Sequence, residues 1–89
     1  MPKVRIPTPL RPHAGGLDSI DAPGATVGAV LGSVGETYPA LKERIFDGAD
    51  LRRFVNVYVN DEDIRYLEDL DTPVTDSDEV SIIPAVAGG

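Results

Sequence analysis

The sequence predicts an α+β domain, in which one main helix and a short second helix pack on a mixed sheet of four or five strands. Three patterns predict this class. Apolar residues alternate with polar ones near the start of the chain, recur at helical spacing between residues 27 and 38, and alternate again in two later segments. A single long helix over one face of a small sheet is an economical way to bury one core.

The first two strands are predicted on either side of a turn rich in proline and glycine. Residues 3–7 alternate between polar and apolar side chains, as a half-buried strand does. Three prolines and a Gly-Gly pair between residues 7 and 16 interrupt regular structure. Residues 17–21 are then expected to return beside the first strand, until the Pro-Gly pair at 23–24 ends them.

The two helices are predicted from capping signals and apolar spacing. Thr26 is a suitable N-cap for a helix whose apolar residues are Val27, Val30, Leu31, Val34 and Tyr38. The helix also contains three glycines, each costing up to about 1 kcal/mol relative to Ala, so it should depend on packing against the sheet. Pro39 is expected to end it, and residues 40–46 are expected to form the second helix.

Three more strands are predicted in the second half of the chain. The clearest is residues 53–60, with the side chains of Val55, Val57 and Val59 in the core and those of Phe54, Asn56 and Tyr58 on the opposite face. A short strand is expected around residues 64–66, after which Leu67 and Leu70 cap the core. Residues 79–84 form the last strand, where Val80 and Ile82 face one way and Ser81 and Ile83 the other.

This order of elements is that of the β-grasp, or ubiquitin-like, fold, with the first and last strands as a parallel central pair. We expect residues 1–84 to form the domain and residues 85–89 a flexible Gly-Gly tail. The chain carries a net charge of −7, which opposes binding to nucleic acid and to anionic lipid. No apolar run is long enough to span a membrane, and residues 1–6 do not resemble a signal peptide, so the cytoplasm is expected. A flexible tail on an acidic single domain suits a monomer.

Internal chemistry is sparse in this sequence. There is no cysteine, and therefore no disulfide, thiolate nucleophile or Cys-ligated metal. The single histidine, His13, lies in a turn-rich stretch without a second histidine or a flanking carboxylate, so no metal site and no catalytic residue is predicted. Gly15 and Gly16 are not followed by the Lys-Ser/Thr pair of a phosphate-binding loop, so no intrinsic cofactor is expected.

The most informative feature is the C-terminal segment Ala85, Val86, Ala87, Gly88 and Gly89, which directly follows the last predicted strand. A terminal glycine carries a carboxylate without a Cβ beside it, and such a terminus fits a narrow channel. The simpler interpretation is a loose chain end. The absence of a linker, and of any Lys, Ser or Asp in the segment, favours a functional tail whose carboxylate is the reactive group.

Three stretches of the chain resemble a known family. They are LRPHAGG at 10–16, RFVNVYVNDED at 53–63 and IIPAVAGG at 82–89. With the β-grasp order, the last resembles the sulfur-carrier proteins of the ThiS and MoaD family, and the first two favour its CysO-type branch, which serves cysteine biosynthesis. The similarity extends over essentially the full chain.

The resemblance implies a carrier protein rather than an enzyme. An E1-like enzyme would use ATP and Mg²⁺ to adenylate the carboxylate of Gly89, and a sulfur donor would replace AMP to leave a thiocarboxylate. A PLP-dependent cysteine synthase would then accept the sulfur, and a metal-dependent peptidase would release the cysteine adduct. Residues 85–89 would enter the partner's active site.

A docking surface is predicted beside the tail. Phe54, Tyr58 and Ile83 lie opposite the assigned core residues, and they form one apolar patch if their strands are neighbours. Arg52 and Arg53 are candidate rim contacts. Three alternatives stay open: the small subunit of a molybdopterin synthase, a ubiquitin-like protein modifier, and an inert β-grasp interaction module.

Overall fold

The computed structural model describes residues 1–84 of the 89-residue chain. Five strands form one mixed sheet; they are β1 (Lys3–Arg5), β2 (Ser19–Asp21), β5 (Val55–Val59), β6 (Glu62–Asp63) and β7 (Glu79–Pro84). Their order across the sheet is β2-β1-β7-β5-β6. Two helices, α1 (Val27–Thr37) and α2 (Pro39–Ile45), lie between the two halves of the sheet in sequence, and a ribbon of β3 (Phe46–Asp47) and β4 (Asp50–Leu51) follows them.

The centre of the sheet is the parallel pair of β1 and β7, as predicted. Val4 pairs with Val80, and Val80 pairs on its other side with Val59 of β5. All three side chains are buried. The crossover through α1 and α2 joins β2 to the second half of the sheet, so the β-grasp prediction is confirmed.

Helix α1 supplies the other wall of the core. Its N-cap is Thr26, whose Oγ1 accepts a hydrogen bond from the backbone N–H of Ala29 at 3.2 Å, as the sequence predicts. The side chains that it buries are Val27, Val30, Leu31 and Val34. The backbone N–H of Val27, the first residue of the helix, donates a hydrogen bond to the carbonyl oxygen of Thr72 at 2.9 Å. This bond fixes the start of α1 against the loop that precedes β7.

The proline-rich segment after β1 is more regular than expected. Residues Thr8–Ala14 form a 3-10 helix that buries Leu10 and Ala14. Proline is tolerated near the start of a helix because the N–H that it lacks has no intrahelical acceptor there. Gly15, at φ 65°, ends the segment in the left-handed region.

The short strand after β5 lies earlier than predicted. Asn60 and Asp61 have φ values of 49° and 72°, which is the geometry of a two-residue hairpin turn. The turn places β6 at Glu62–Asp63, while Ile64–Tyr66 forms a 3-10 helix. The predicted strand at residues 64–66 is therefore wrong.

Of the two leucines predicted to cover the core after that strand, one does so and the other does not. Leu70 packs against the core, whereas Leu67 is 37% exposed and does not join it. The β3–β4 ribbon was not predicted, because each of its strands has only two residues and shows no periodicity. Neither helix of residues 1–84 is long and apolar enough to cross a membrane.

Hydrogen bonds tie the β5–β6 turn to the start of β7. The Asn60 side chain donates to Oδ1 of Asp78 at 2.8 Å and accepts from the backbone N–H of Glu79 at 3.0 Å. The second oxygen of Asp78 accepts the N–H of Thr75 at 2.7 Å. These bonds, first that of Thr75 and then that of Asn60, lower the pKa of Asp78 from its ordinary value of 3.8.

Substitution of two glycines by alanine should have opposite effects. A Cβ on Gly24 would lie 2.6 Å from the backbone nitrogen of Val30, whereas a Cβ on Gly32 meets no atom within 4 Å. We expect Gly24→Ala to lower the free energy of unfolding by about 2 kcal/mol or more. Gly32→Ala should raise it by up to about 1 kcal/mol, because Ala favours the helix. Urea unfolding of both variants tests this, and equal effects would contradict it.

The Asp78 contacts should stabilise the fold in a pH-dependent way. Because the folded-state pKa is lowered, the contribution is complete above the unfolded-state pKa and is lost as pH falls through the folded-state value, below 3.8. The difference in unfolding free energy between the wild type and Asp78→Asn should therefore shrink below pH 3.8. Asp18→Asn, at an exposed site, controls for the loss of one charge. A difference that stays constant at low pH would count against this assignment.

Candidate functional site

The structure defines where the C-terminal segment leaves the domain. The five predicted tail residues, Ala85, Val86, Ala87, Gly88 and Gly89, lie outside the described residues. Strand β7 remains paired up to Pro84, which is opposite Val55 at the first residue of β5. The backbone N–H of Val55 also donates to the carbonyl oxygen of Arg52 at 3.0 Å. The segment therefore starts from a hydrogen-bonded strand.

The face of the sheet away from α1 has polar and apolar side chains beside this exit. Strand pairing aligns Arg5, Ser81 and Tyr58 in one row across three strands. The next row on the same face contains Ile83 and Asn56, which are direct partners in the β5–β7 ladder. We call this surface, formed by Arg5, Asn56, Tyr58, Ser81 and Ile83, the open face. None of its side chains is buried.

The predicted apolar docking residues lie on β5 and β7 or, for Phe54, in the turn directly before β5. Ile83 is 46% exposed and Phe54, immediately before β5, is 58% exposed. Tyr58 is half-buried and lies diagonally from Ile83 across the β5–β7 pair. The condition set by the sequence, that the two strands be neighbours, is met. Exposed large apolar side chains grouped in this way are typical of an interaction site.

The two predicted rim arginines differ in their surroundings. Arg52 donates from Nε to the carbonyl oxygen of Glu43 at 2.6 Å, and its backbone N–H bonds the carbonyl of Ile45 at 2.8 Å. Arg52 therefore helps to attach this loop to α2. Arg53 is exposed, and both arginines line a cleft of about 360 Å3 beside β5.

Sequence analysis did not identify an ion pair next to the open face. Asp63 is the strand partner of Tyr58, and its carboxylate accepts a hydrogen bond from Nη2 of Arg65 at 2.7 Å. The backbone N–H of Arg65 bonds the same carboxylate at 2.9 Å. The Arg65 side chain, followed by its backbone N–H, lowers the pKa of Asp63. The Asp-x-Arg spacing at the end of the hairpin is the signal that would have found it.

The fold is that of a ubiquitin-like β-grasp protein, and exposed apolar side chains lie beside the last described residue of β7. Comparison with known proteins agrees. The model of the ThiS family matches residues 4–89. The chain therefore belongs to the ThiS family.

Individual relatives are similar over nearly their whole length. The sulfur carrier protein CysO of Mycobacterium tuberculosis is 51% identical, covering 97% of this chain and 96% of the relative. The CysO in a BexX/CysO complex of Amycolatopsis orientalis superposes with a TM-score of 0.92 at 46% identity and 100% coverage of both chains. The small archaeal modifier protein 1 of Methanosarcina acetivorans superposes with a TM-score of 0.87 at 39% identity, covering 98% and 94%. The chain is therefore a CysO-like member of this family, and the CysO relatives are named as carrier proteins rather than as enzymes.

Neighbouring isoleucines on β7 should differ sharply in their contribution to stability. Ile82 is 2% exposed in the core, whereas Ile83 is 46% exposed on the open face. We expect Ile82→Ala to lower the unfolding free energy by about 2–5 kcal/mol and Ile83→Ala by less than about 1 kcal/mol. Urea unfolding measures both. A comparable loss for the two variants would mean that Ile83 serves the fold and is not free for docking.

Proposed function

We propose that the carboxylate of Gly89 is the group that this carrier loads with sulfur. Support comes from full-length similarity to sulfur carriers together with the Gly-Gly segment that follows β7. In the first step, the carboxylate attacks the α-phosphorus of ATP and pyrophosphate leaves, which gives an acyl-adenylate. A sulfur donor then displaces AMP, which leaves a thiocarboxylate on Gly89.

The activating chemistry belongs to a partner in this proposal. A carboxylate at neutral pH is a poor electrophile, and this chain has no phosphate-binding loop with which to activate it. ATP and Mg²⁺ would be bound by an E1-like adenylating enzyme. The BexX/CysO complex of Amycolatopsis orientalis supports action together with a protein partner. Because activation consumes ATP, we place the cycle in the cytoplasm.

The sulfur would be used to make cysteine. In the proposed cycle, the thiocarboxylate sulfur attacks an activated serine held by a PLP-dependent synthase, and the serine leaving group departs. The product is a thioester, which an S-to-N acyl shift converts to an amide of cysteine. A metal-dependent peptidase then hydrolyses that amide, which releases cysteine and regenerates the carboxylate of Gly89. The CysO-type identity of the chain supports this acceptor.

The open face would orient the carrier on each partner. Burial of the apolar patch of Phe54, Tyr58 and Ile83 contributes about 25 cal/mol per Å2, before the cost of association is subtracted. Residues 84–89 span at most about 20 Å when extended. A partner that binds the patch therefore has the terminal carboxylate within reach of a pocket at that distance.

A protein-modifier role is the second candidate. It is favoured by the structural similarity to the small archaeal modifier protein 1 of Methanosarcina acetivorans. The same acyl-adenylate would then be attacked by a lysine of a target protein, giving an isopeptide bond. Slower-migrating conjugates in a cell extract, lost when Gly88 and Gly89 are deleted, would support this role. Their absence together with a thiocarboxylate would support the carrier cycle alone.

Intact-mass analysis of the protein from its native cell tests the proposal directly. Replacement of one carboxyl oxygen by sulfur adds about 16 Da, the same increment as oxidation of Met1, so the C-terminal peptide must be fragmented to locate it. We expect the increment on Gly89. A chain with an additional residue after Gly89 is the control and should not acquire it. An unmodified C-terminal peptide from cells grown without an external source of cysteine would refute the proposal.

A second experiment measures the rate of ATP–pyrophosphate exchange for Gly89→Ala. A Cβ next to the reactive carboxyl should obstruct a narrow adenylation channel, so we expect normal folding and at least a tenfold lower rate of ATP–pyrophosphate exchange, which corresponds to about 1.4 kcal/mol. Ala87→Gly, two residues away, is the matched control and should keep the wild-type rate. A wild-type exchange rate for Gly89→Ala would contradict the role of the terminal glycine.

A further inference from the structure

A cleft lies along one edge of β5 and shares Asn56 with the open face. It has a volume of about 360 Å3, and three consecutive residues of the strand, Val55, Asn56 and Val57, line it. Side chains of consecutive strand residues point to opposite faces of a sheet. Three consecutive residues of β5 can therefore line the same cleft only if the cleft follows the backbone along the edge of the strand. The cleft runs beside the main chain of β5.

This edge of β5 is only partly paired, although the N–H of Val55 is already bonded to the carbonyl oxygen of Arg52. On its other side, β5 pairs with β7 through all five residues, Val55–Val59. On the cleft side, β6 pairs with Tyr58 and Val59 alone. Within residues 1–84 no strand lies beside Val55–Val57 on that side. An open strand edge presents backbone donors and acceptors that a second extended chain can pair with.

The cleft is lined by apolar side chains and by arginines. The apolar residues are Leu51, Val55, Val57 and Ile64, and the arginines are Arg52, Arg53 and Arg65. Asp63 and Asp69 also line it, but Asp63 is engaged by Arg65 at 2.7 Å. No carboxylate of the described residues forms an ion pair with Arg52 or Arg53. Arg53 therefore has no acidic partner among the described residues, and the side chain of Arg52 is bonded through Nε alone, to the carbonyl oxygen of Glu43. Two cationic groups thus remain on the cleft, against the one carboxylate of Asp69.

We propose that this cleft binds an extended segment of a partner protein, in which an apolar side chain is flanked by carboxylates, as an additional strand on β5. Charge complementarity determines the chemistry of the occupant. The chain has a net charge of −7, so an acidic segment is repelled by most of its surface, whereas this cleft is lined by three of its eight basic residues and only two of its fifteen acidic ones. The apolar residues of the cleft accept the central side chain, and Arg52 and Arg53 pair with the carboxylates beside it.

The occupant would bind next to the exit of the C-terminal segment, since Val55 is the partner of Pro84. The cleft uses the opposite edge of the same strand, so a partner can occupy it while the open face and residues 85–89 are engaged. The proposal goes beyond the sulfur-carrier cycle. It concerns recognition by the unmodified domain and does not require any chemistry at Gly89.

The test is a titration of the unmodified, isotope-labelled full chain with two capped peptides, followed by NMR. One peptide alternates Glu and Val, and the other has Gln in place of each Glu. We expect the Glu/Val peptide to shift the backbone amide of Val57 saturably and to bind more tightly than the Gln/Val peptide. Arg53→Gln should weaken its binding about twofold to fivefold, as loss of an exposed ion pair does. Arg53→Lys should recover most of the affinity, because the charge is restored.

Arg44→Gln is the matched control, because it removes the same charge from an exposed position that does not line the cleft. It should retain the wild-type affinity. The proposal is overturned if both peptides bind equally, if Arg44→Gln weakens binding as much as Arg53→Gln, or if neither peptide moves the Val57 amide. Shifts confined to Tyr58 and Ile83 would assign the peptide to the open face and would also overturn it. Because Gly89 is unmodified throughout, failure here leaves the sulfur-carrier proposal intact.

Discussion

The parallel pairing of β1 with β7 is the constraint on which the rest of the structure depends. Val4 and Val80 are direct partners at the centre of the sheet, and both are fully buried under α1. Side chains alternate along a strand, so burying Val80 and Ile82 necessarily directs Ser81 and Ile83 to the open face. A slip of one residue would exchange the two sets and would bury polar groups in the core. The hydrophobic core therefore determines which β7 side chains are available to a partner.

The same register determines where the C-terminal segment starts. Pro84 is held opposite Val55 because five consecutive residues of β5 pair with β7. At the other end of this ladder, Asn60 and Asp78 bind the hairpin turn to the first residue of β7. The strand is thus attached at both ends. Its C-terminal end remains at a defined distance from Phe54, Tyr58 and Ile83, whatever happens to the residues beyond it.

Much of this fold follows from short-range patterns. Alternation predicted β5 and its buried valines, and β7 has the predicted bounds. The N-cap at Thr26 was also predicted. Alternation similarly predicted that Ile83 and Phe54 would be exposed. Three features were not predicted from the sequence: the conformation of Asn60 and Asp61, the β3–β4 ribbon and the cleft beside β5. They depend on contacts between segments that are distant in sequence, or on strands too short to show periodicity.

The two proposed recognition surfaces lie on one strand, which has a mechanical consequence. A partner that bound only the apolar patch could rotate about β5, and its catalytic centre would then have no fixed position relative to Pro84. A second contact along the opposite edge of β5 would remove that rotation. The concentration of the terminal carboxylate at a partner's catalytic centre rises as the range of docking orientations narrows. Arg52, bonded through Nε to the carbonyl of Glu43, also connects the cleft to α2, so the rim of the second contact is attached to the helical layer of the domain. Recognition by the paired strands of the sheet would thus complement the chemistry proposed for Gly89.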